Sequence, residues 1–279
     1  MWIDDKRKAP IVDFLGWLLF ITVFFQILIF ALEPASIAHA ETGKLTFSYV
    51  IYAIIGMFFT TPAPAISLYL TLRNEEQITI KEFLRRFFRT PYKLKAFLVT
   101  GVFCVCAFVY ALECGQPNGA PWFIMPLGFI IMLSFVGFAE ETGWRGFLQP
   151  VLEKRFPFPV ATSIVAVIWC VWHFPIWLQP TSNHYGDSIV GFAINIFVWA
   201  FVAAAIYKST KSVFACAVYH SFINSIGGIY DWNKLFDTYP KSNAAYLYFG
   251  VIFILALIIW NVEDLHENDS ADSFLNPGP

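Results

Sequence analysis

Eight apolar stretches constrain the fold of this chain more than any other feature of its sequence. Several of them reach roughly 18 residues or more, which is long enough for a helix to cross the hydrocarbon core of a bilayer. Hydrophobic residues make up 58% of the 279 residues and charged residues only 14%, a composition that soluble domains rarely have. We therefore predict an all-α, polytopic membrane bundle of about eight transmembrane helices. The stretches lie near residues 11–32, 46–70, 96–113, 123–152, 159–179, 188–206, 213–230 and 244–261.

The distribution of Lys and Arg predicts how the bundle is oriented. When the N-terminus is placed on the inner side, the inner segments carry 15 of the 18 basic residues if Arg145, inside the fourth stretch, is counted with them, and the outer segments carry only Lys44, Lys234 and Lys241. Cytoplasmic segments of membrane proteins carry such an excess of Lys and Arg. Both termini are therefore expected in the cytoplasm.

Residues 1–262 are expected to form a single integral membrane domain. Its first apolar stretch, 11–32, is too long for the apolar region of a cleaved signal peptide. Segment 81–95, KEFLRRFFRTPYKLK, alternates cations with apolar residues and is predicted to lie at the interface of an anionic inner leaflet. Residues 263–279 are acidic and polar, which predicts a disordered tail.

The motif EETGWR, residues 140–145, places three charges inside an apolar stretch. Ionisable side chains within membrane helices are costly and usually face a protein interior or an aqueous cavity. Glu141 and Arg145 are four residues apart, so they share a helix face, and Arg145 can neutralise and orient Glu141. Glu140 lies about 100° around the helix and is free for another task, while Gly143 lets a neighbouring helix approach. The alternative is that the motif is only a helix end at the cytosolic interface.

A histidine lies in the next apolar stretch, in the sequence WCVWHFPIW. His173 follows Trp169 by four residues and precedes Pro175 by two. Because proline lacks a backbone N–H and clashes with the preceding turn, we predict a kink near Val171 that could open a polar pocket. The alternative is a single buried histidine that is bonded to a backbone carbonyl.

A second histidine motif, HSFIN, places His220 and Asn224 four residues apart on one helix face. These residues could instead serve only as hydrogen-bonding contacts between helices. At a rise of about 1.5 Å per residue, Glu140, His173 and Asn224 each lie roughly 20 Å from the predicted inner end of their helix, and His220 lies about 14 Å from it. Three helices are therefore expected to bring these side chains to one site at similar depth.

The four side chains suit the hydrolysis of an amide. Glu140 and His173 can hold a water molecule and remove its proton, while His220 and Asn224 can donate hydrogen bonds to a developing oxyanion. A metal-dependent version would use Glu140, His173 and His220 as ligands of Zn²⁺, with one position left for water. The sequence leaves both chemistries open.

In this order, on membrane spans, the motifs resemble those of the CPBP family, which includes the type II CAAX prenyl endopeptidases and bacterial abortive-infection and bacteriocin-immunity relatives. EETGWR matches EExxxR, His173 occupies the histidine of an FxxxH element, and HSFIN matches HxxxN. Trp169 departs from the pattern, which usually has Phe at this position. The likeness covers about residues 120–230, the predicted catalytic half.

The resemblance implies an intramembrane endopeptidase that acts on a membrane-associated or C-terminally lipidated, CAAX-type peptide or protein. It also implies a prokaryotic plasma membrane, with the active site reached from the cytoplasmic side. Many prokaryotic relatives have other substrates, so a prenyl group on the substrate does not follow. No cofactor is firmly implied, although Zn²⁺ fits the ligand types. The resemblance assigns catalysis to Glu140, His173, His220 and Asn224, with support from Glu141, Arg145 and Trp169.

Three other functions stay open at this stage. Buried ionisable groups and a second stretch that Pro62 and Pro64 could break are compatible with a proton-coupled transporter. His173 and His220 could be the axial ligands of a haem. A non-proteolytic immunity or scaffold protein could use the same fold for binding. The sequence has neither a basic stripe nor a Gly-rich phosphate loop, so nucleic acid is not an expected partner.

Overall fold

The structure is a computed structural model that describes residues 10–182, 184–230 and 243–275. Its helices are α1 Ile11–Thr42, α2 Phe47–Ile55, α3 Ala63–Glu76, α4 Ile80–Phe88, α5 Lys93–Cys114, α6 Ile124–Met132, α7 Phe138–Gly143, α8 Gln149–Glu153, α9 Phe158–His173, α10 Ile189–Thr210, α11 Val213–Ile226 and α12 Asn243–Leu275. Within the described residues there is no β-sheet, since the β-bridge between Pro117 and Tyr230 is isolated. The predicted all-α polytopic bundle is confirmed.

Six of the predicted stretches correspond to helices that are long and apolar enough to cross a membrane. The second stretch is broken, because α2 with its following turn and α3 meet at an angle of 53°. Pro62 and Pro64 lie at this break, where they remove backbone donors from the helix ladder. The seventh stretch forms α11, which ends at Ile226 before Gly227 and Gly228 and is shorter than a full span. The described residues therefore contain six candidate spans, or seven if α2 and α3 form one bent span, where the sequence predicts about eight.

Hydroxyl side chains fix where several helices begin. Ser188 accepts a hydrogen bond from the backbone N–H of Gly191 at the start of α10, and Ser212 accepts one from Ala215 at the start of α11. Such caps satisfy backbone donors that have no partner inside the helix. Thr46 and Thr79 cap α2 and α4 in the same way.

Helix α10 lies at the centre of the bundle. It packs against α5, α9, α11 and α12, and its side chains from Val198 to Ile206 are all buried. Four alanines in this part of the helix let neighbouring backbones approach closely, which is how membrane helices commonly pack. The alanines are Ala200, Ala203, Ala204 and Ala205.

Helix α12 extends beyond the apolar stretch to Leu275, and the disordered tail over residues 263–279 stays a prediction. The transmembrane part of α12 already supplies the nucleus of a helix, so adding further residues costs little. Glu263 also pairs with Lys95 at 2.6 Å, and Asp264 pairs with Lys208 at 3.4 Å. These ion pairs hold the beginning of the segment against α5 and α10. Residues 276–279 lie outside the described residues.

Cations from different parts of the chain meet at one end of the bundle, which we call the cationic end. They surround a cavity of about 570 Å³ between α4, α8 and the end of α10. Predicted interfacial segment 81–95 contributes here, with α4 burying Phe83 and Phe87 against the bundle. Basic residues from three of the predicted inner segments thus meet at the same end, although their side of the membrane stays a prediction. The cations that line this cavity are Arg86, Arg89, Lys154, Lys208 and Lys211.

Candidate active site

Helix α7 carries the two glutamates and lies between two π-helical turns, Leu133–Gly137 and Trp144–Leu148. Such turns change the direction in which the following side chains point, and they occur often at functional sites. Glycines at both ends of α7 allow close helix contacts. A Cβ atom on Gly137 would lie 2.6 Å from the carbonyl oxygen of Ala217, and one on Gly143 would lie 2.6 Å from Cβ of Pro64. The predicted helix approach at Gly143 is confirmed.

Glu140 is held by two indoles. Trp169 Nε1 donates a hydrogen bond to Glu140 Oε2 at 2.5 Å, and Trp144 Nε1 lies 3.5 Å from the same oxygen. The side chain is 3% exposed, and it lines a cavity. The carboxylate is therefore fixed in orientation while it faces an open space, as the helix geometry predicts for a residue turned away from Glu141.

Glu141 lies in a fully buried ion cluster on the other side of α7. Its Oε1 accepts hydrogen bonds from Arg145 Nη1 at 3.0 Å and from His220 Nδ1 at 2.8 Å. Arg145 Nη2 also donates to the carbonyl oxygen of Ala200, and its guanidinium carbon lies 4.7 Å from the ring centroid of Trp169. The predicted pair of Glu141 with Arg145 is confirmed. Breaking such a buried pair leaves one uncompensated charge, which is expensive.

His173 is the last residue of α9, and its Nδ1 lies 2.9 Å from the carbonyl oxygen of Trp169. Because a carbonyl oxygen can only accept, Nδ1 carries the proton, and Nε2 of the neutral ring is free to accept one. The predicted kink near Val171 appears instead as a 3₁₀ turn over Phe174–Leu178. Phe174 N–H bonds to the carbonyl oxygen of Val171, which replaces the bond that Pro175 cannot make.

A cavity of about 510 Å³ connects these elements, and we call it the glutamate cavity. Glu140, His173 and Asn224 all line it, so three of the four predicted catalytic side chains meet there. His220 is not among its lining residues and contacts Glu141 and the ring of Trp169 instead. On α11, Asn224 thus lines the cavity, whereas His220, one turn earlier, belongs to the buried ion cluster. Other polar residues lining the cavity are Thr22, Gln26, Tyr52, Thr60, Thr61, Gln179, Thr181, Ser182 and His184.

The predicted zinc ligands do not form a metal-binding group in the structure. Among the described residues there is no set of three His, Cys, Asp or Glu side chains arranged to hold a metal ion. Nδ1 of His220 is engaged by Glu141 and Nδ1 of His173 by a carbonyl oxygen, bonds that leave Nε2 of each ring available. His220 does not line the cavity that Glu140 and His173 share, so as placed the three residues do not form a zinc site, and we derive no step through a metal.

Some residues around the site did not emerge from the sequence. Trp144 contacts Glu140, and Trp172 packs against His173 with ring centroids 4.7 Å apart. Trp172 Nε1 in turn donates a hydrogen bond to Thr22 at 3.0 Å. Trp144 follows Glu140 by four residues, so the same spacing rule that pairs Glu141 with Arg145 could have found it. The contact with Thr22 depends on the tertiary fold.

Comparison with known proteins places this site in a family context. Residues 121–226 match the family model of the Rce1-like type II CAAX prenyl endopeptidases. A curated relative, CAAX prenyl protease 2 of Methanococcus maripaludis, is 25% identical over 145 residues, which are 48% of this chain. The chain spans about half the length of this relative, since the match covers 49% of it. Together with the three residue motifs, these matches support the assignment of the chain to the CPBP family.

Proposed function

We propose that this chain is an intramembrane endopeptidase that hydrolyses a peptide bond of a membrane-associated substrate. The observation that carries the proposal is that Glu140, His173 and Asn224, from three separate helices, line one cavity. A carboxylate, an imidazole and an amide around a shared space are the groups that amide hydrolysis needs.

Glu140 acts as the general base in this proposal. The bond from Trp169 holds its carboxylate, and His173 offers Nε2 as a second acceptor for the attacking water. Glu140 takes one proton from the water as the water oxygen attacks the peptide carbonyl. It then gives that proton to the leaving amine, so that the carboxylate is restored at the end of each cycle.

Asn224 stabilises the tetrahedral oxyanion. The amide of Asn224 lines the cavity and can donate an N–H directly. His220, the second donor that the sequence predicts, does not line the cavity, and its Nδ1 is bonded to the carboxylate of Glu141, so it supports the cavity wall as part of the buried ion cluster. Donors that are in place before the reaction need not reorganise as negative charge develops.

Glu141, Arg145 and Trp169 support these groups without contacting the substrate. Glu141 holds the ring of His220, and Arg145 compensates the charge of Glu141. Trp169 lies between the two glutamates, since it bonds Glu140 and stacks near the guanidinium of Arg145. The ion cluster therefore fixes the position of the cavity wall.

The substrate class follows from the family in outline. The matched relative carries the name of a CAAX prenyl protease, which supports a peptide or protein substrate at the membrane, with a C-terminally lipidated, CAAX-type substrate as one member of the class. A prokaryotic plasma membrane is the proposed location. The lipid bilayer is the second expected partner.

Terminal peptidomics tests the proposal. Membranes that contain the wild-type chain are compared with membranes that contain equal amounts of folded Glu140→Ala protein, and new peptide termini are quantified. We expect a set of termini that depends on Glu140. A parallel sample with a chelator tests whether Zn²⁺ is needed. Identical termini in the wild-type and Glu140→Ala membranes would contradict the proposed function.

A proton-coupled transporter is the second candidate, and one observation favours it. The break between α2 and α3 lies at the glutamate cavity, since Thr60 and Thr61 line it, and broken helices form the binding sites of many transporters. Proton or solute movement by reconstituted protein, without any Glu140-dependent peptide termini, would support this candidate over the protease.

A further inference from the structure

The cavity of about 570 Å³ at the cationic end is a second cavity, which the proposed protease mechanism does not use. Its lining residues come from three described segments, 86–92, 150–154 and 207–213, and none of them also lines the glutamate cavity. In the stretch of chain that leads from Glu140 to Lys154, Trp144 and Phe147 are fully buried. Lys154 follows Glu140 by 14 residues, which is about 21 Å along a helix. The cavity is therefore separate from the catalytic groups.

Positive charge dominates the lining of this cavity. Five of the eleven lining residues are Lys or Arg, and one, Glu153, carries a carboxylate. Two of the cations are held by carboxylates outside the lining, since Arg86 pairs with Glu76 at 2.9 Å and Lys208 pairs with Asp264 at 3.4 Å. A cation near the carboxyl end of a helix stabilises that helix by itself, so each position has a local explanation. The convergence of α4, α8 and α10 on one space does not, and it concentrates a positive potential that attracts anions.

Lys211 occupies a backbone position that helices usually give to glycine. It ends α10 in the left-handed region, with φ 51° and ψ 29°, where a side chain introduces strain that glycine avoids. Among the described residues, Gln77 at the end of α3 is the one other non-glycine residue with a positive φ. Lys211 lines the cavity, and Gln77 does not. A cation at this strained position indicates a role in the cavity.

Two helix N-termini also border the cavity. Tyr92 immediately precedes α5, Val213 is the first residue of α11, and both residues line the cavity. The N-terminus of a helix favours negative charge, because its first backbone N–H groups have no partner within the helix. The cavity therefore adds the ends of two long helices to its cationic side chains, a combination that suits a phosphate group.

An apolar groove of about 480 Å³ runs beside the cavity, between α5 and α11. On α5 its lining extends from Lys93 to Cys104, about 16 Å along the helix, which is roughly half of the ~30 Å hydrocarbon core of a bilayer. A Cβ atom on Gly101 would meet nothing within 4 Å, so the groove is open there. Phe88 and Phe97 also line it and are 59% and 75% exposed. The groove has the length and the surface of a site for a hydrocarbon chain.

The cavity and the groove adjoin along two segments of the chain. In the connection from α4 to α5, Arg89 lines the cavity and Thr90 lines the groove. At the start of α11, Val213 lines the cavity and Phe214 lines the groove. The hydroxyl oxygens of Thr90 and Ser212 lie 2.8 Å apart and link these two segments. A cationic cavity beside an apolar groove matches a ligand that has a phosphate at one end and a hydrocarbon chain at the other.

We propose that the cationic end binds one anionic phospholipid, with its phosphate in the cavity and an acyl chain in the groove. The guanidinium of Arg89 can bind phosphate oxygens in a bidentate manner, and the ammonium of Lys211 acts as a point charge. The lipid joins α4, α5, α10 and α11, so its binding stabilises the folded bundle. The site goes beyond the proposed protease and does not depend on it.

Lipid retention measured by native mass spectrometry tests the site. The full-length chain in detergent is mixed with phosphatidylglycerol, or with phosphatidylcholine that has the same acyl chains, and the bound lipids are counted. We expect a preference for phosphatidylglycerol. Lys211→Gly should lower its retention about fivefold, the effect of one basic residue beside an anionic lipid surface. The variant should stay folded, because glycine is favoured at this backbone position, and its unfolding temperature checks this.

Two control variants match Lys211→Gly. Arg85→Gln removes one charge from the same end of the bundle, at a side chain that is 77% exposed and does not line the cavity. Gln77→Gly relieves the same kind of backbone strain away from the cavity. Both should retain phosphatidylglycerol as the wild type does. Equal losses in Lys211→Gly and Arg85→Gln would show a diffuse attraction and overturn the site, as would equal retention of the two lipids by the wild type.

Gly101→Leu tests the groove separately from the cavity. The new side chain would extend into open space and should lower the retention of phosphatidylglycerol severalfold. Inorganic phosphate is the probe for a free anion, and it should raise the unfolding temperature of the wild type less than phosphatidylglycerol does at the same concentration. Equal stabilisation by the two probes, or unchanged lipid retention in Gly101→Leu, would overturn the binding of a lipid chain.

Discussion

The two faces of α7 place adjacent glutamates in opposite surroundings. Glu140 lines a cavity and is held by the indole of Trp169, whereas Glu141 is completely buried between Arg145 and His220. Because consecutive residues of a helix are rotated by about 100°, one step along the chain is enough to separate them. The face with Glu140 has the open space that a substrate and a water molecule require. The face with Glu141 has the paired charges that keep the buried carboxylate stable.

The difference teaches how a charged motif can be kept within a membrane. A lone carboxylate within a membrane helix would be costly. A cation placed beside Glu140 to compensate its charge would fill the space that a substrate needs. The motif therefore leaves Glu140 facing the cavity and pairs the neighbouring Glu141 with Arg145. The largest expected effects of mutation therefore differ in kind, with activity lost on the cavity face and stability lost on the buried face.

Apart from changes to Glu140 itself, His173→Ala should give the largest loss of activity on the cavity face. Removing a group that holds and helps deprotonate the attacking water is expected to lower turnover by about 10²- to 10⁴-fold, while thermal unfolding in detergent stays close to that of wild type. The control is His39→Ala, since His39 lies outside the glutamate cavity and contacts Lys44 and Tyr49. Equal turnover in the two variants would remove His173 from the mechanism.

Arg145→Ala should give the largest loss of stability on the buried face. It leaves Glu141 buried with its charge uncompensated by the guanidinium, at a cost of about 3–5 kcal/mol. A thermal or chemical unfolding series in detergent measures the effect. Arg85→Ala is the matched control, because Arg85 pairs with Glu82 at 2.7 Å but is 77% exposed, and exposed pairs contribute little. Equal losses of unfolding free energy in the two variants would show that burial of the ion pair does not increase its contribution to stability.

Gly143→Ala tests the close packing that joins the two faces to α3. The new Cβ would lie 2.6 Å from Cβ of Pro64, so one helix must shift, and overpacking of this kind costs about 1–3 kcal/mol. The control is Gly101→Ala in α5, where a Cβ meets nothing within 4 Å. That variant should unfold at or above the wild-type temperature. A neutral Gly143→Ala would mean that α3 and α7 are less tightly packed.

Glu82, on the exposed cationic end, should show the smallest effect. The hydrogen bond from Arg85 holds the pKa of the Glu82 carboxyl below its usual value of 4.5. A lowered folded-state pKa means that the contribution of Glu82 to stability is present above about pH 4.5 and is lost as the pH falls through the folded pKa. Comparing unfolding of wild type and Glu82→Gln from pH 7 downward measures it. A difference that grows as the pH falls would contradict the sign.

Spacing along a single helix predicted those parts of the site that lie on one helix. The four-residue interval between Glu141 and Arg145 is enough to predict their pair, and the apolar periods predict most of the spans. Counting residues from the helix ends also anticipated that Glu140, His173 and Asn224 line one cavity, because helical rise depends little on the sequence.

Contacts between helices could not be read in this way. The bond from His220 to Glu141 depends on how α11 is rotated relative to α7, and two π-helical turns around α7 alter the direction of its side chains. The wall formed by residues 179–182 lies far along the chain from Glu33, which holds it.

The most direct test of the account is cleavage per folded molecule in Glu140→Gln. This change keeps an oxygen that can accept the bond from Trp169, and it removes only the ability to take a proton. The substrates that terminal peptidomics identifies are incubated with equal amounts of folded wild type and variant. The account predicts a variant that unfolds at the wild-type temperature and has lost nearly all cleavage. A folded Glu140→Gln that cleaves at the wild-type rate would contradict it.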